Sequence, residues 1–110
     1  MNRLARVHIP WIKQLLVQKC HMDMHEHGHE IVFEQAVLDR MKQHGYTLMN
    51  IYHFLCDFPI VELTSLNRQN SRYQLEVSGT HGSHIICIRL EMAIDRSGLD
   101  FKVVNLVIKH

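Results

Sequence analysis

A chain of 110 residues, 46% hydrophobic and 21% charged, fits one globular domain large enough to bury a core without metal or disulfide staples. Its formal net charge of +1 lacks the basic surplus that a dedicated nucleic-acid binder usually carries. The three cysteines, Cys20, Cys56 and Cys87, are odd in number and show no Cys-x-x-Cys spacing, which favours a reducing, cytoplasmic setting over a secreted disulfide scaffold.

The charge is unevenly laid out: residues 1–22 sum to +4, residues 23–63 to −5 and residues 64–110 to +2. The first segment lacks acids, as a targeting segment does, but Pro10, Lys13 and Gln14 break its apolar run. No small-residue cleavage site follows, so a secretory signal is not expected. Neither is a membrane partner, because no window approaches the roughly 18 apolar residues a spanning helix needs.

In chain order, Pro10 suits a first helical position, and Trp11, Ile12, Leu15, Leu16 and Cys20 then fill about half of a helical wheel, which predicts a helix over 10–20. His21 to Glu30 is polar and contains Gly28; it reads as a loop or a short edge strand. Phe33, Val37 and Met41 recur at i, i+4 and i+8, predicting a helix over 33–44, with Gly45 just past its end. Arg40 and His44 share a stripe of that helix and aim polar groups toward a core edge, where an arginine needs an acidic or carbonyl partner. Thr47 offers an N-cap to a third helix carrying Leu48, Ile51, Tyr52 and Leu55, which Pro59 stops because Phe58 before it is pushed to extended geometry.

The period then changes to two. Strands are expected at 60–63, 72–78, 84–93 and 101–108, with turns at 67–70, 79–83 and 95–98. Short connections imply an antiparallel meander. Alternation turns Leu75, Val77, Ile86, Ile88, Leu90, Val104, Leu106 and Ile108 toward the helices. It leaves Arg72, Gln74, Glu76, Cys87, Arg89, Glu91, Asn105 and Lys109 on an open face, together with Ile85, Val103 and Val107. The expected fold is thus α+β, with N-terminal helices packed on a four-stranded, mostly antiparallel sheet. It forms one domain over 1–110, in which an N-terminal helix and His-rich loop (1–30) precede a core (31–110).

Three constellations could carry chemistry. His21, His25, His27 and His29, interleaved with Asp23, Glu26 and Glu30, offer ligands for zinc, iron or nickel. Against this, Gly28 disfavours a continuous helix, the spacing is not His-Glu-x-x-His, and no distant ligand stands out, so adventitious binding or none is expected. Arg72, Tyr73, Arg89 and Lys109 could grip phosphates and stack a base. Glu76 and Glu91 share their face, however, and would instead pair the arginines in a cross-strand charge ladder. The cysteines lack any local catalytic signature and read as buried structural thiols.

The run Ala36-Val37-Leu38-Asp39-Arg40-Met41-Lys42-Gln43-His44-Gly45-Tyr46-Thr47, followed by a helix, a strand and the Ser71–Gly79 stretch SRYQLEVSG, resembles the small uncharacterised bacterial domains related to RelE/ParE-type toxins. Those domains show His-Ala-x-x-Arg-Met-x-x-Arg-Gly-Ile-Ser/Thr, then a strand ending in glycine and a C-terminal strand rich in Val and Ile. The resemblance spans about residues 31 to 109. Arg40, Met41, Gly45 and Thr47 match; Ala36 stands where the family has its leading His, and His44 where it has its second Arg.

The resemblance implies a RelE/ParE-like toxin-type protein acting on RNA or the translation machinery, a metal-independent ribonuclease with no cofactor. In that reading Arg40 and Arg89 stabilise charge and His44 carries a proton, while Arg72 and Lys109 hold phosphate and Tyr73 stacks a base. Its partners would be RNA or the ribosome, and an antitoxin. The rival reading is a non-enzymatic module of the same fold, an inhibitor or immunity-type protein that binds another protein through the open sheet or an edge strand. Near-neutral charge, acids on the open face and the missing family His favour the rival. A metal sensor built on the histidine loop is a third.

Overall fold

The computed structural model describes residues 3–26, 28–67, 71–96 and 98–110, with side chains from Ile9 onward except at Asn67. The chain runs α1 (Arg3–Glu26), β1 (Ile31–Phe33), α2 (Gln35–Gln43), α3 (Leu48–Asp57), β2 (Ile60–Asn67), β3 (Arg72–His81), β4 (His84–Asp95) and β5 (Gly98–Lys109). The strands form one five-stranded sheet in the order β1-β5-β4-β3-β2. Three pairings are antiparallel, and β1 runs parallel to β5. The α+β class holds, but the sheet is mixed and has a fifth strand that the periodicity did not announce.

That strand is short. Ile31, Val32 and Phe33 pair with Phe101, Lys102 and Val103, and the Glu34 N–H donates to the Val103 carbonyl at 3.1 Å as the chain leaves the sheet. Phe33 lies in phase with Val37 and Met41, so the helical period swallowed the strand; α2 begins two residues later than expected.

The first helix is longer than expected at both ends. Pro10 lies inside it rather than at its start, and His21–Glu26 continues it instead of opening a loop. Ile12, Leu16, Cys20 and Asp23 are its buried positions, one per turn, so the stripe that seats α1 on the core ends in a carboxylate. Asp23 is only 7% exposed. Its Oδ1 accepts the Glu30 N–H at 2.7 Å, and its Oδ2 accepts the Ile31 N–H and the Tyr52 hydroxyl, both at 3.0 Å. One side chain on α1 thereby ties down the entry to β1 and the middle of α3.

The punctuation of α2 and α3 follows the sequence. Gly45 takes φ +75°, with Gly45 N–H donating to the Lys42 carbonyl and Tyr46 N–H to the Met41 carbonyl, a Schellman ending. Thr47 caps α3 in a reciprocal box with Asn50, at 3.2 Å and 2.9 Å. Phe58 is extended before Pro59, and the Lys13 ammonium on α1 donates to the Leu55 and Phe58 carbonyls at the far end of α3.

The helices cover one face of the sheet, where Leu75, Val77, Ile86, Ile88, Leu90 and Leu106 are buried as alternation requires. Alternation fails once. Arg89 pairs with Asn105 but Leu90 pairs with Val103, so Val104 is an extra residue in β5 and the phase flips there. Phe101 and Val103 therefore join the core, and Val104 does not take the fully buried place expected of it.

Gly79 belongs to β3 rather than to a turn; the turn is Gly82-Ser83, with Gly82 at φ +62°. A β-carbon at Gly79 would lie 2.3 Å from Cδ1 of Phe58, whose ring stacks on Phe54 at 5.0 Å. Glycine is needed there for close approach, not for backbone freedom.

Two stability effects follow. Asp23→Ala strands a buried N–H at Ile31, a part-buried N–H at Glu30 and the Tyr52 hydroxyl, and is expected to lower the unfolding free energy by about 3 kcal/mol, with Asp23→Asn losing roughly half as much. Urea midpoints measure both, and a loss below about 1 kcal/mol for Asp23→Ala would remove this cluster from the structural account. Gly79→Ala is expected to cost about 1 to 3 kcal/mol through overpacking, and most of that cost should vanish in a Phe58→Ala background.

Candidate interaction surface

The sheet face turned away from the helices is built by strand alternation. On β3 and β4, Arg72, Gln74 and Glu76 stand opposite Ala93, Glu91 and Arg89. On β5, Lys102, Asn105 and Lys109 stand opposite Glu91, Arg89 and Ile85, while Glu62 and Thr64 of β2 extend the face beside Glu76 and Gln74. Both arginines are partnered: Arg72 Nη2 meets Glu91 Oε2 at 2.7 Å, and Arg89 Nη2 meets Glu76 Oε1 at 3.7 Å. Lys102 Nζ lies 3.3 Å from Glu34 Oε1. Such half-exposed pairs contribute only about 0 to 1 kcal/mol each, so what they set is the sign pattern of the surface rather than its stability.

Two shallow depressions mark this face. One, of about 280 Å³, is lined by Glu62, Thr64, Gln74, Leu75, Glu76 and Arg89. The other, of about 480 Å³, lies toward β1 and gathers His29, Arg72 and Lys102 with Glu30, Glu91 and Asp100 over Val32, Ala93 and Phe101. Each mixes both signs. Neither is a basic trough of the kind that tracks a nucleic-acid backbone.

The residues that the resemblance offered for catalysis do not converge. Arg40 sits on α2 and donates from Nη1 to the Leu106 carbonyl at 3.2 Å, the carbonyl partner that its stripe called for. His44 is the exposed C-cap residue one turn further on. Arg89 is on the open face, paired with Glu76 and turned away from the helix layer.

The RNA-binding set divides too. Tyr73 points to the helix side, packing half-buried against the core opposite Met92, because neighbours along a strand face opposite ways. It cannot share a stacking surface with Arg72. Lys109 stands opposite Ile85 and Arg72 opposite Ala93, which separates the two by eight residues along β4, or about 26 Å.

Of the histidines, His21 and His25 are one turn apart on α1 with rings 5.7 Å apart, and both are exposed. His29 lies beyond the helix, and His27 falls outside the described residues. Among the described residues, no group of three or more His, Cys, Asp or Glu side chains gathers to hold a metal.

What the sequence reading missed are residues placed by tertiary contact. Asp23 reads from the sequence as one of the carboxylates of the histidine cluster, although its place on the Ile12-Leu16-Cys20 stripe marks it as a buried acid in need of donors. Lys13 is half-buried, and that burial pulls its ammonium below the usual lysine range. The Tyr52 hydroxyl is pushed up, first by burial and then by its bond to Asp23.

Among the described residues, no helix is long and apolar enough to cross a membrane. Compared with known proteins, the chain matches no protein-family model, no curated protein and no solved structure.

A two-histidine face supplies too few ligands for a stabilising metal site. Equimolar zinc is therefore expected to move the melting temperature by no more than a few degrees after tag removal. A large stoichiometric rise, lost in His25→Ala, would overturn this.

Proposed function

We propose that this chain is a cytoplasmic, non-enzymatic protein-interaction module built on a RelE/ParE-like frame, and that it binds its partner through the open face of the sheet. The observation that carries this reading is the charge ladder: Arg72 and Arg89 already hold Glu91 and Glu76 across the strands. A phosphate would have to break those pairs and face the freed carboxylates. A protein surface with its own alternating charges can instead exchange partners with the ladder, which gives orientation and selectivity.

The motif residues support the same conclusion. Met41 fills the core, Gly45 ends α2, Thr47 caps α3, and Arg40 satisfies a carbonyl at the sheet edge. Each of the four has a sufficient structural role, so the resemblance to toxin-type domains is one of frame and supplies no reacting group.

One feature favours the RNA-directed reading: Arg72, Lys102 and His29 line the same depression. Glu30, Glu91 and Asp100 line it as well, which leaves little net attraction for a polyanion.

The two readings separate in one experiment. With single-stranded RNA at about 50 mM salt, anisotropy should show no binding, because few phosphates can be neutralised. Induced expression should allow normal growth. Cross-linking in cells through Lys102 and Lys109 should give one predominant protein adduct that Arg89→Glu abolishes. Growth arrest with loss of message, together with salt-sensitive RNA binding that weakens in Arg89→Ala, would replace this proposal with the toxin.

A further inference from the structure

The two edges of the sheet are finished differently. Where β5 runs on past β1, side chains close it: Arg40 donates to the Leu106 carbonyl, and Asn105 Oδ1 accepts the Leu106 N–H. The opposite edge is β2, which pairs with β3 alone. Ser78 N–H donates to the Pro59 carbonyl at 3.2 Å, and backbone groups turn alternately to either side along a strand, so Glu76 and Gln74 of β3 also point toward β2. They engage their partners Glu62 and Thr64. Leu63 and Ser65 therefore turn N–H and C=O outward, and among the described residues no side chain caps them. Val61 and Leu66 are bulged out of register and exposed, which leaves residues 62–65 as the regular part of the edge.

The charge beside this edge is unbalanced. Glu62 stands directly opposite Glu76, a placement in which like charges repel. Arg89 serves Glu76 at 3.7 Å, whereas Glu62 receives only the Thr64 hydroxyl at 3.4 Å. Among the described residues no cation pairs with Glu62. Glu62, Thr64, Glu76 and Arg89 line one depression of about 280 Å³, so two acids share one base at its rim.

We propose, on the protein-interaction reading above, that β2 takes up a short extended segment of the partner as an added strand, with a lysine or arginine of that segment seated against Glu62. Leu63 and Ser65 supply backbone hydrogen bonds, which hold the segment without reading its sequence. Glu62 supplies the selectivity, because a side chain of the added strand that faces the same way as Glu62 and Thr64 meets the unpaired carboxylate. The bulges confine the regular edge to four residues, which fits a linear segment rather than a continuing sheet. A second copy of β2 would bring another Glu62 and no cation, so the charge favours a different chain.

The test uses the full chain and a labelled, end-capped peptide, Thr-Val-Lys-Val-Lys-Val-Thr, read by anisotropy and by amide hydrogen exchange in NMR at millimolar peptide. The peptide should bind at least about tenfold more tightly than its counterpart with Glu in place of Lys. The chain's own net charge is +1, so bulk attraction does not produce that preference. Binding should slow exchange at the Leu63 and Ser65 amides and leave Leu106 unchanged. Glu62→Gln should weaken the basic peptide several-fold, and Glu62→Lys should reverse the preference. N-methylation of alternate peptide amides should abolish binding in one of its two phases and spare it in the other. The edge site is overturned if the peptide does not bind, if Lys and Glu peptides bind alike, or if binding leaves Leu63 and Ser65 unprotected. It is also overturned if those amides are already protected in a dimer seen by sedimentation, since a second copy then occupies the edge. Absence of peptide binding while the Arg89-dependent adduct in cells persists overturns the edge site alone and leaves the open-face reading standing.

Discussion

The Asp23 carboxylate is the constraint on which the helix layer depends. A buried carboxylate is tolerated only when donors surround it, and here the donors come from two further elements of the layer's edge, the entry to β1 and α3. Two are backbone N–H groups at Glu30 and Ile31, where the chain turns from α1 into β1; the third is the Tyr52 hydroxyl on α3. Tyr52 also stands edge-on to Phe33, with ring centres 5.7 Å apart, so β1 is gripped at both of its ends. Without that grip a three-residue strand would have little to hold it. Gly28 belongs to the same arrangement, since a β-carbon there would come within 3.3 Å of Asp23 Oδ1.

With β1 fixed, the sheet has a short strand beside the first half of β5 and none beside the second. Exposed strand edges invite pairing with other chains, and here the gap is closed by side chains. At Leu106 both backbone groups turn outward; Arg40 donates to the carbonyl, and Asn105 Oδ1 accepts the N–H at 2.9 Å. The Val104 bulge lies just before this point. It rotates β5 so that Val103 and Leu106 both face the helices although they are three positions apart.

Legibility from sequence tracked how local the determining force is. The ends of α2 and α3 were readable because Gly45, Thr47 and Pro59 act within a few residues of themselves. The long strands were readable from their alternation, and the charged open face came with them. β1 was not, since three residues carry no period and its partner lies some seventy positions away. The Val104 bulge was hidden because consecutive valines at 103 and 104 give no cue as to which one faces inward.

The same distinction bears on what the motif resemblance can mean. Arg40 and His44 keep helical spacing wherever α2 is placed, so the sequence could present them as a pair without regard to the sheet. Arg89 is set by β4, whose open side faces away from the layer that holds α2. Turning β4 over so that Arg89 joined the helix layer would exchange Ile88 and Leu90 in the core for Arg89 and Glu91. Burying those two charges would outweigh any single contact a substrate could offer. Arg89 thus stays on the open face while Arg40 and His44 stay on α2, and the charge ladder follows from the same alternation that buries Ile88 and Leu90.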